Sequence, residues 1–508
     1  MSTPHDPANH RPAKHRPVGH LAEHTVVHTD RGPVCGAVHS TRAGTGLRFL
    51  GIPYAKAPVG ALRFAAPEPP EPWTEPLDAT AYGPTAQRRP FAEVTTIPEP
   101  TIPGAGILNL NVFTPAADPS AGLPVLVWIH GGGYVAGSSA SPWYDGAAFN
   151  RDGVVLVSIG YRLGIEGFLH LADAPDNRGV RDWIAALRWV RDNIAAFGGD
   201  PARVTVAGQS AGGGAVQTLL ATPAATGLFR AAISVSGAVM QPQDASVGRA
   251  VAELFTARTG LPATAQALQD RSDEELLGFQ DALAAPGPDG RAPLLLLAPF
   301  ADGELVPEPV MDALTTGDAG GEIPLMLGFT EHEFNAVPFP DAPEEAVLGL
   351  LASLGLDPAA AADFLAAHPS LSNPQRMGQA ITDVTFRAPA LAIAESRAAR
   401  LRPTWLYQFT WTSQAPAFAG AAFHCLDLPF AFDLLAGEAV TAATGPNPPQ
   451  ALADAVHGAW VRFVHSLDPG PDWPRYTATD RATRVWANPP RTDPDHLAQV
   501  RAIWLRKH

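Results

Sequence analysis

Apolar residues along this chain gather into short, continuous runs separated by longer stretches with helical spacing. Val125–Ile129 is one such run and Val154–Ile159 another. Val204–Ala207, Ala232–Val235, Leu325–Phe329 and Thr404–Trp411 follow. Runs of this kind, short and rich in β-branched side chains, predict strands buried on both faces. Between them, Val180–Phe197 sets Ile184, Leu187, Val190 and Ile194 on one helical face, with Asn177 as a cap before it and Gly198-Gly199 as a stop. Ala211–Leu220 predicts the next helix, and Ala451–Ser466 also reads as helical. Residues 240–290 and 340–400 are rich in Ala and Leu and predict helices inserted between core strands, covering the sheet edge. Strands alternating with helices imply an α/β chain with a large, mostly parallel central sheet and helices on both faces. Ligands of such sheets bind outside the carboxyl ends of the strands. No internal repeat is evident, so residues 25–505 are expected to form a single catalytic domain with helical subdomains.

Residues 1–24 break the pattern. His5, His10, His15 and His20 recur at a step of five, which does not keep side chains on one helical face, and Pro4, Pro7, Pro12 and Pro17 oppose a helix. A disordered tail is expected there, and no metal site.

Composition narrows the partners. The 508 residues carry a net charge of −15, against nucleic acid or an anionic membrane as the main partner. Arg supplies nearly all the positive charge, since lysine occurs only at Lys14, Lys56 and Lys507; with abundant Ala, Gly and Pro this is the usage of a GC-rich bacterium. Cys35 and Cys425 are the only cysteines, so one disulfide is possible but no disulfide framework. No apolar run reaches membrane-spanning length and no secretory signal is visible. The expectation is a cytoplasmic protein, a monomer or weak homo-oligomer.

Candidate chemistry lies where the strand Val204–Ala207 ends. Gly208 and Gly212 bracket Ser210 in a G-x-S-x-G pattern. Such a sharp turn needs glycine where a side chain would strike the neighbouring strand or helix, and it sets a hydroxyl at a helix N-terminus, where negative charge is favoured. A serine hydroxyl is a poor nucleophile without a base, a group to orient that base, and donors for the developing oxyanion. Gly131–Gly133 follows another strand end, where bare backbone N–H groups can converge on one oxygen, and the N–H of Ala211 adds a donor. Two such runs at successive strand ends outweigh the simple reading of either as a tight turn. In a Ser–acid–His order the base is one of His332, His368, His424, His457, His465, His496 and His508. Position favours His424, in a loop after a strong strand, while His457 and His465 in a helical segment read as packing or surface histidines. The acid should follow Leu325–Phe329, where position alone does not separate Glu331 from Glu333.

Here the chain resembles the type-B carboxylesterases, the cholinesterase-like family of α/β-hydrolases. The resemblance runs over roughly residues 25–490 and rests on Phe49-Leu50-Gly51-Ile52-Pro53-Tyr54-Ala55-Lys56 through Leu62-Arg63-Phe64, Leu110-Asn111-Val112-Phe113, Tyr161-Arg162-Leu163-Gly164, Phe197-Gly198-Gly199-Asp200-Pro201 and Gly208-Gln209-Ser210-Ala211-Gly212-Gly213. It implies the α/β-hydrolase fold and a serine ester hydrolase that needs no cofactor and no metal, only an ester substrate and water. The family's Gly-x-x-x-x-Glu pattern, Gly328 to Glu333, selects Glu333 as the acid. Its His-x-x-Asp/Glu-Leu-Pro motif fits His424 with Asp427, Leu428 and Pro429, and its oxyanion donors fall on Gly132, Gly133 and Ala211. The Gly-Gly-Gly loop implies tolerance of bulky, even tertiary, alcohols.

Three departures qualify the resemblance. The family usually has Glu before the serine; here Gln209 stands there, which removes a charge near the imidazolium. The family's first disulfide joins a cysteine near the position of Ala86 to one in a Glu-Asp-Cys motif that is Ala105-Gly106-Ile107 here; the joint loss suits a reducing cytoplasm. The segment between these positions is where cholinesterases hold part of their choline site, so a neutral small to medium ester is expected instead. Two alternatives remain: the same triad acting on amides, carbamates or lactones, or a non-catalytic binding module.

Overall fold

A computed structural model describes residues 24–42, 44–90, 96–237, 244–286, 295–335, 341–506. The expected tail, with His5, His10, His15 and His20, therefore lies outside the described residues except for His24.

Among the described residues thirteen strands form one mixed sheet: β1 (His24–His28), β2 (Pro33–Ser40), β3 (Thr45–Pro53), β4 (Leu77–Asp78), β5 (Asn109–Thr114), β6 (Leu123–Ile129), β7 (Val155–Ile159), β8 (Gly199–Gln209), β9 (Ala231–Val235), β10 (Leu325–Thr330), β11 (Thr404–Phe409), β12 (Thr483–Trp486) and β13 (Arg491–Asp493). Their order is β1-β2-β3-β5-β7-β6-β8-β9-β10-β11-β12-β13, with β4 beside β2. From β7 to β12 all neighbours are parallel; β1, β2, β3, β5 and β13 join antiparallel. This is the α/β-hydrolase arrangement, and the apolar runs of the sequence form the parallel part.

Burial on both faces explains why those runs are continuous rather than alternating. Along β6, Val125, Val127 and Ile129 point into one core and Leu126 and Trp128 into the other. The first core holds Val180, Trp183 and Leu187 of helix Arg178–Asn193 and Ala215, Val216 and Leu219 of helix Ala211–Leu220. The second holds Val456, Trp460 and Phe463 of helix Gln450–Ser466. Trp128 packs edge-on against Phe432 at 5.0 Å. Truncating an aromatic side chain at such a position typically costs about 3–5 kcal/mol, so both faces are needed.

The motif Tyr161-Arg162-Leu163-Gly164 is tied into this core. Arg162 and Asp182 are both fully buried, with Nη2 donating to Oδ1 at 2.6 Å and Nε to Oδ2 at 2.9 Å. Arg162 Nη1 also donates to the carbonyl of Ala65 at 2.7 Å. A buried pair whose partner is deleted typically costs about 3–5 kcal/mol, so this ion pair locks the N-terminal segment onto the helix at Asp182.

Two expectations need correction. The helix expected at Val180–Phe197 is α-helical over Arg178–Asn193 and ends in a 3-10 turn, Ile194–Phe197. Asn177 precedes it but does not cap it: its φ is 53° and its carboxamide is spent elsewhere, on the carbonyl and N–H of Phe300 and on Asp302. The helical insertions form, including Ala245–Thr259, Asp273–Ala284 and Ala388–Ala399, but the sheet edges are β1 and β13. The first insertion joins the neighbouring central strands β9 and β10, and Ala388–Ala399 packs on β11.

Candidate active site

The parallel strands β6, β8, β9, β10 and β11 end on one side of the sheet, and the residues singled out in the sequence follow four of those ends. Ser210 links β8 to the helix Ala211–Leu220 with φ 58° and ψ −121°, a backbone region that a non-glycine residue rarely adopts. Its N–H donates to the carbonyl of Val235 at 2.9 Å, which anchors the strained residue to β9. A Cβ on Gly212 would lie 2.0 Å from the carbonyl oxygen of Ile129, so the helix can start against β6 only with glycine there.

The glycine loop after β6 closes on the same point. A Cβ on Gly131 would stand 3.1 Å from Ser210 Cβ. Gly132 and Gly133 follow with φ of 112° and 60°. Among the described residues, the N–H groups of Gly132, Gly133 and Ala211 have no protein acceptor. The loop is braced from behind. His130 stacks on Tyr161 at 4.5 Å, its Nδ1 donates to the carbonyl of Gly131 at 2.8 Å, and Tyr161 Oη donates to the carbonyl of His130 at 2.9 Å. Burial pushes the His130 pKa down to about 4, with the Gly131 hydrogen bond opposing and Arg88 assisting, so this ring is neutral and structural. Arg88 Nε donates to the carbonyl of Gly137 at 2.7 Å.

On the other side of Ser210, β10 and β11 deliver Glu333 and His424. Glu333 is buried, with φ 33°. Its Oε1 accepts from Ser236 Oγ at 2.6 Å and from the N–H of Thr330 at 2.8 Å. Its Oε2 accepts from Nδ1 of His424. The two loops are also joined through their backbones, with His424 N–H donating to Glu333 O at 3.1 Å and His332 N–H to Ala422 O at 3.0 Å. Among the described residues Glu331 has no such partner network; its N–H continues the ladder to Phe409. Phe334 and Phe386 each lie 5.0 Å from the His424 ring and pack against it, leaving its side chain 15% exposed. Burial pulls the His424 pKa down, but the Cys425 sulfur and the Glu333 carboxylate outweigh it and hold the pKa well above the usual 6.5. Burial keeps Cys425 a neutral thiol, so the standing charge is that of Glu333.

Nε2 of His424 does not meet Ser210 Oγ. It faces Gln209 Nε2 at 3.0 Å, and the same nitrogen lies 3.0 Å from Cys425 Sγ. Behind the pair, Asp427 is buried, with Oδ2 accepting from Tyr407 Oη at 2.9 Å and Oδ1 without a partner among the described residues.

Three other candidate histidines are engaged elsewhere, and His508 lies outside the described residues. His332 Nδ1 accepts from the N–H of Ala422 at 3.0 Å. His457 and His465, in the helix Gln450–Ser466, bond to the carboxylate and the carbonyl of Asp152. Cys35 and Cys425 are both free. Among the described residues no cluster of His, Cys, Asp and Glu could hold a metal ion, and no helix is long and apolar enough to cross a membrane. The segment at 294–300 and the loop at 330–340 lie partly outside the described residues.

Sequence reasoning missed the bracing groups His130, Tyr161 and Arg88, and the carboxylate's donors Ser236 and Thr330. Only the placement of Ser236 and Thr330 at strand ends could have flagged them. Comparison with known proteins shows the family of the chain. A model described as the carboxylesterase family matches residues 23–349 and 364–498. The chain is 38% identical to the para-nitrobenzyl esterase of Bacillus subtilis, covering 91% of this chain and 94% of the relative. It is 34% identical to the phenmedipham hydrolase of Pseudarthrobacter oxydans, over 86% of this chain and 90% of that one. Among solved structures it is similar to a carboxylesterase of Geobacillus stearothermophilus, with a TM-score of 0.82, 34% identity, and coverage of 94% of this chain and 100% of that one.

Proposed function

This chain belongs to the carboxylesterase family of ester hydrolases, and we propose that it cleaves neutral small to medium esters with Ser210 as nucleophile, His424 as base and Glu333 as the group that orients the base. The observation that carries this reading is the buried Glu333 carboxylate holding His424 Nδ1 beside the strained Ser210 elbow. With Nδ1–H on Glu333, the Nε2 lone pair is free to take the Ser210 proton once Oγ reaches it. Oγ then bonds the ester carbonyl carbon while the carbonyl electron pair moves to oxygen. The N–H groups of Gly132, Gly133 and Ala211 stabilise that oxyanion; losing one such donor typically costs about 3–4 kcal/mol. The alcohol leaves with a proton from His424, and water activated by the same ring releases the acid. The free cysteines fit a cytoplasmic setting.

A fluorophosphonate probe should label Ser210, and Ser210→Ala should lose both labelling and turnover; near wild-type turnover in that variant would sink the assignment. Because only the neutral imidazole accepts a proton and its pKa is raised, kcat/KM on a p-nitrophenyl ester should climb with pH through a midpoint above 6.5. A flat profile from pH 5 to 8 would count against His424. The substrate panel is ethyl acetate, tert-butyl acetate for the glycine-rich loop, a p-nitrobenzyl ester and phenmedipham, the last two suggested by the relatives.

A further inference from the structure

Gln209 occupies a position that the proposed mechanism does not use. It is buried, directly before the nucleophile, and its amide nitrogen stands 3.0 Å from Nε2 of His424 and 3.0 Å from Sγ of Cys425. A carboxamide NH2 has two hydrogens and can only donate. Two partners at that distance use both hydrogens. The imidazole nitrogen that accepts one of them carries no proton, so the ring's single proton sits on Nδ1, against Glu333 Oε2. The carboxamide oxygen points the other way, toward Gly131, 2.9 Å from where a Cβ on that glycine would be, so it is the nitrogen that faces His424 and Cys425.

We propose that Gln209 is a positioning residue for the base: its amide selects the Nδ1–H tautomer of His424 and covers the Nε2 lone pair until Ser210 Oγ–H replaces it. The inference rests on the Ser210–His424–Glu333 reading above. It explains why His424 Nε2 faces Gln209 and not Ser210, and it assigns Cys425 Sγ as the acceptor that fixes the amide's second hydrogen.

Every group around the imidazole bears on its charge. Glu333 and Phe334 come from the loop after β10, and Phe386 from the turn Asp383–Arg387. Gln209 comes from the end of β8, while Cys425 and Asp427 belong to the ring's own loop, with Tyr407 Oη on Asp427. His332 is spent on Ala422. Glu333 is the charge that favours imidazolium; the amide on Nε2 favours the neutral ring. A glutamate at 209 would reverse the second influence, because an opposite charge beside an imidazole stabilises its protonated form.

The test compares the pH dependence of kcat/KM on a neutral p-nitrophenyl ester in the wild type and Gln209→Glu, with the histidine 15N shifts of the wild type recorded in parallel and His424 assigned through His424→Gln. The acid limb of Gln209→Glu should move up by about one pH unit or more, whatever happens to its plateau. At alkaline pH the wild-type His424 should show a protonated Nδ1 and a bare Nε2. An unmoved acid limb in a folded Gln209→Glu enzyme overturns the proposal, as does a wild-type ring that, once neutral at alkaline pH, carries its proton on Nε2. Should Gln209→Glu fail to fold, the wild-type shifts alone decide. Loss of activity in Ser210→Ala beside an unmoved Gln209→Glu limb would remove this proposal and leave the triad reading intact.

Discussion

The two walls of the proposed site are built by different physics. The nucleophile wall, from β6 and β8, is made of backbone: an elbow with φ 58° at Ser210, a glycine that must be glycine at 212, and a loop whose Gly131 abuts Ser210 Cβ. Its buried imidazole, His130, is neutral. The acid–base wall, from β10 and β11, is made of side chains drawn from distant parts of the chain. Glu333 and His424 are 91 positions apart, and Ser236 reaches Glu333 from 97 positions away. This wall gathers the buried charge: Glu333, His424 and Asp427 lie within one cluster. One wall is held by steric necessity and the other by buried electrostatics, so they should fail differently.

The largest effect is expected from the steric wall. Gly212→Val places side-chain carbon where Gly212 Cβ alone would already sit 2.0 Å from the Ile129 carbonyl. Neither atom is the far end of a flexible side chain, so β6 and the helix Ala211–Leu220 must part. Loss of the cooperative melt, or of fluorophosphonate labelling, should accompany loss of activity. A stable, fully active Gly212→Val enzyme would mean the elbow is not sterically fixed. The electrostatic wall should fail more selectively. Glu333→Gln keeps the shape but removes the charge that orients His424 and stabilises its imidazolium. A drop in kcat of about 10⁴-fold is expected by analogy with other triads, with the fold retained by circular dichroism. A loss of less than tenfold would show that the carboxylate does not set the state of His424.

The same contrast decides what could be read from the sequence. A steric requirement is local and leaves its mark within a few residues, so Gly208-Gln209-Ser210-Ala211-Gly212 and Gly131–Gly133 stood out unaided, as did the doubly buried strands. The acid was not separable by position, since Glu331 and Glu333 both follow the same strand; the family pattern chose Glu333. What singles it out physically is a fold-level fact: Thr330 N–H and Ser236 Oγ converge on its Oε1 only after β9 and β10 pair. Asn177 shows the opposite failure. A cap residue in the right place was read as a cap, yet its carboxamide answers to Phe300, more than a hundred residues on. Gln209 was legible as a departure, but its contact with Nε2 of His424 was not, because the histidine arrives from another strand.

The smallest effect sharpens the electrostatic side. Asp427 has one oxygen on Tyr407 Oη and one without a partner among the described residues. Burial pushes its pKa up to about 7 from 3.8, and Glu333 adds to this, against the Tyr407 hydrogen bond and His424. The folded chain therefore keeps a proton that the unfolded chain releases near pH 4. Stability falls as pH rises between those two values, and the full penalty stands above the folded one. Asp427→Asn cannot ionise and should lose this slope. An amide at that site still has an atom facing no partner, so the absolute Tm is not the readout. The Tm of Asp427→Asn relative to wild type should instead gain about 2–4 °C between pH 5 and pH 8. An offset that stays constant over that range would show Asp427 ionised throughout, and this wall would then hold a third buried charge beside Glu333 and His424.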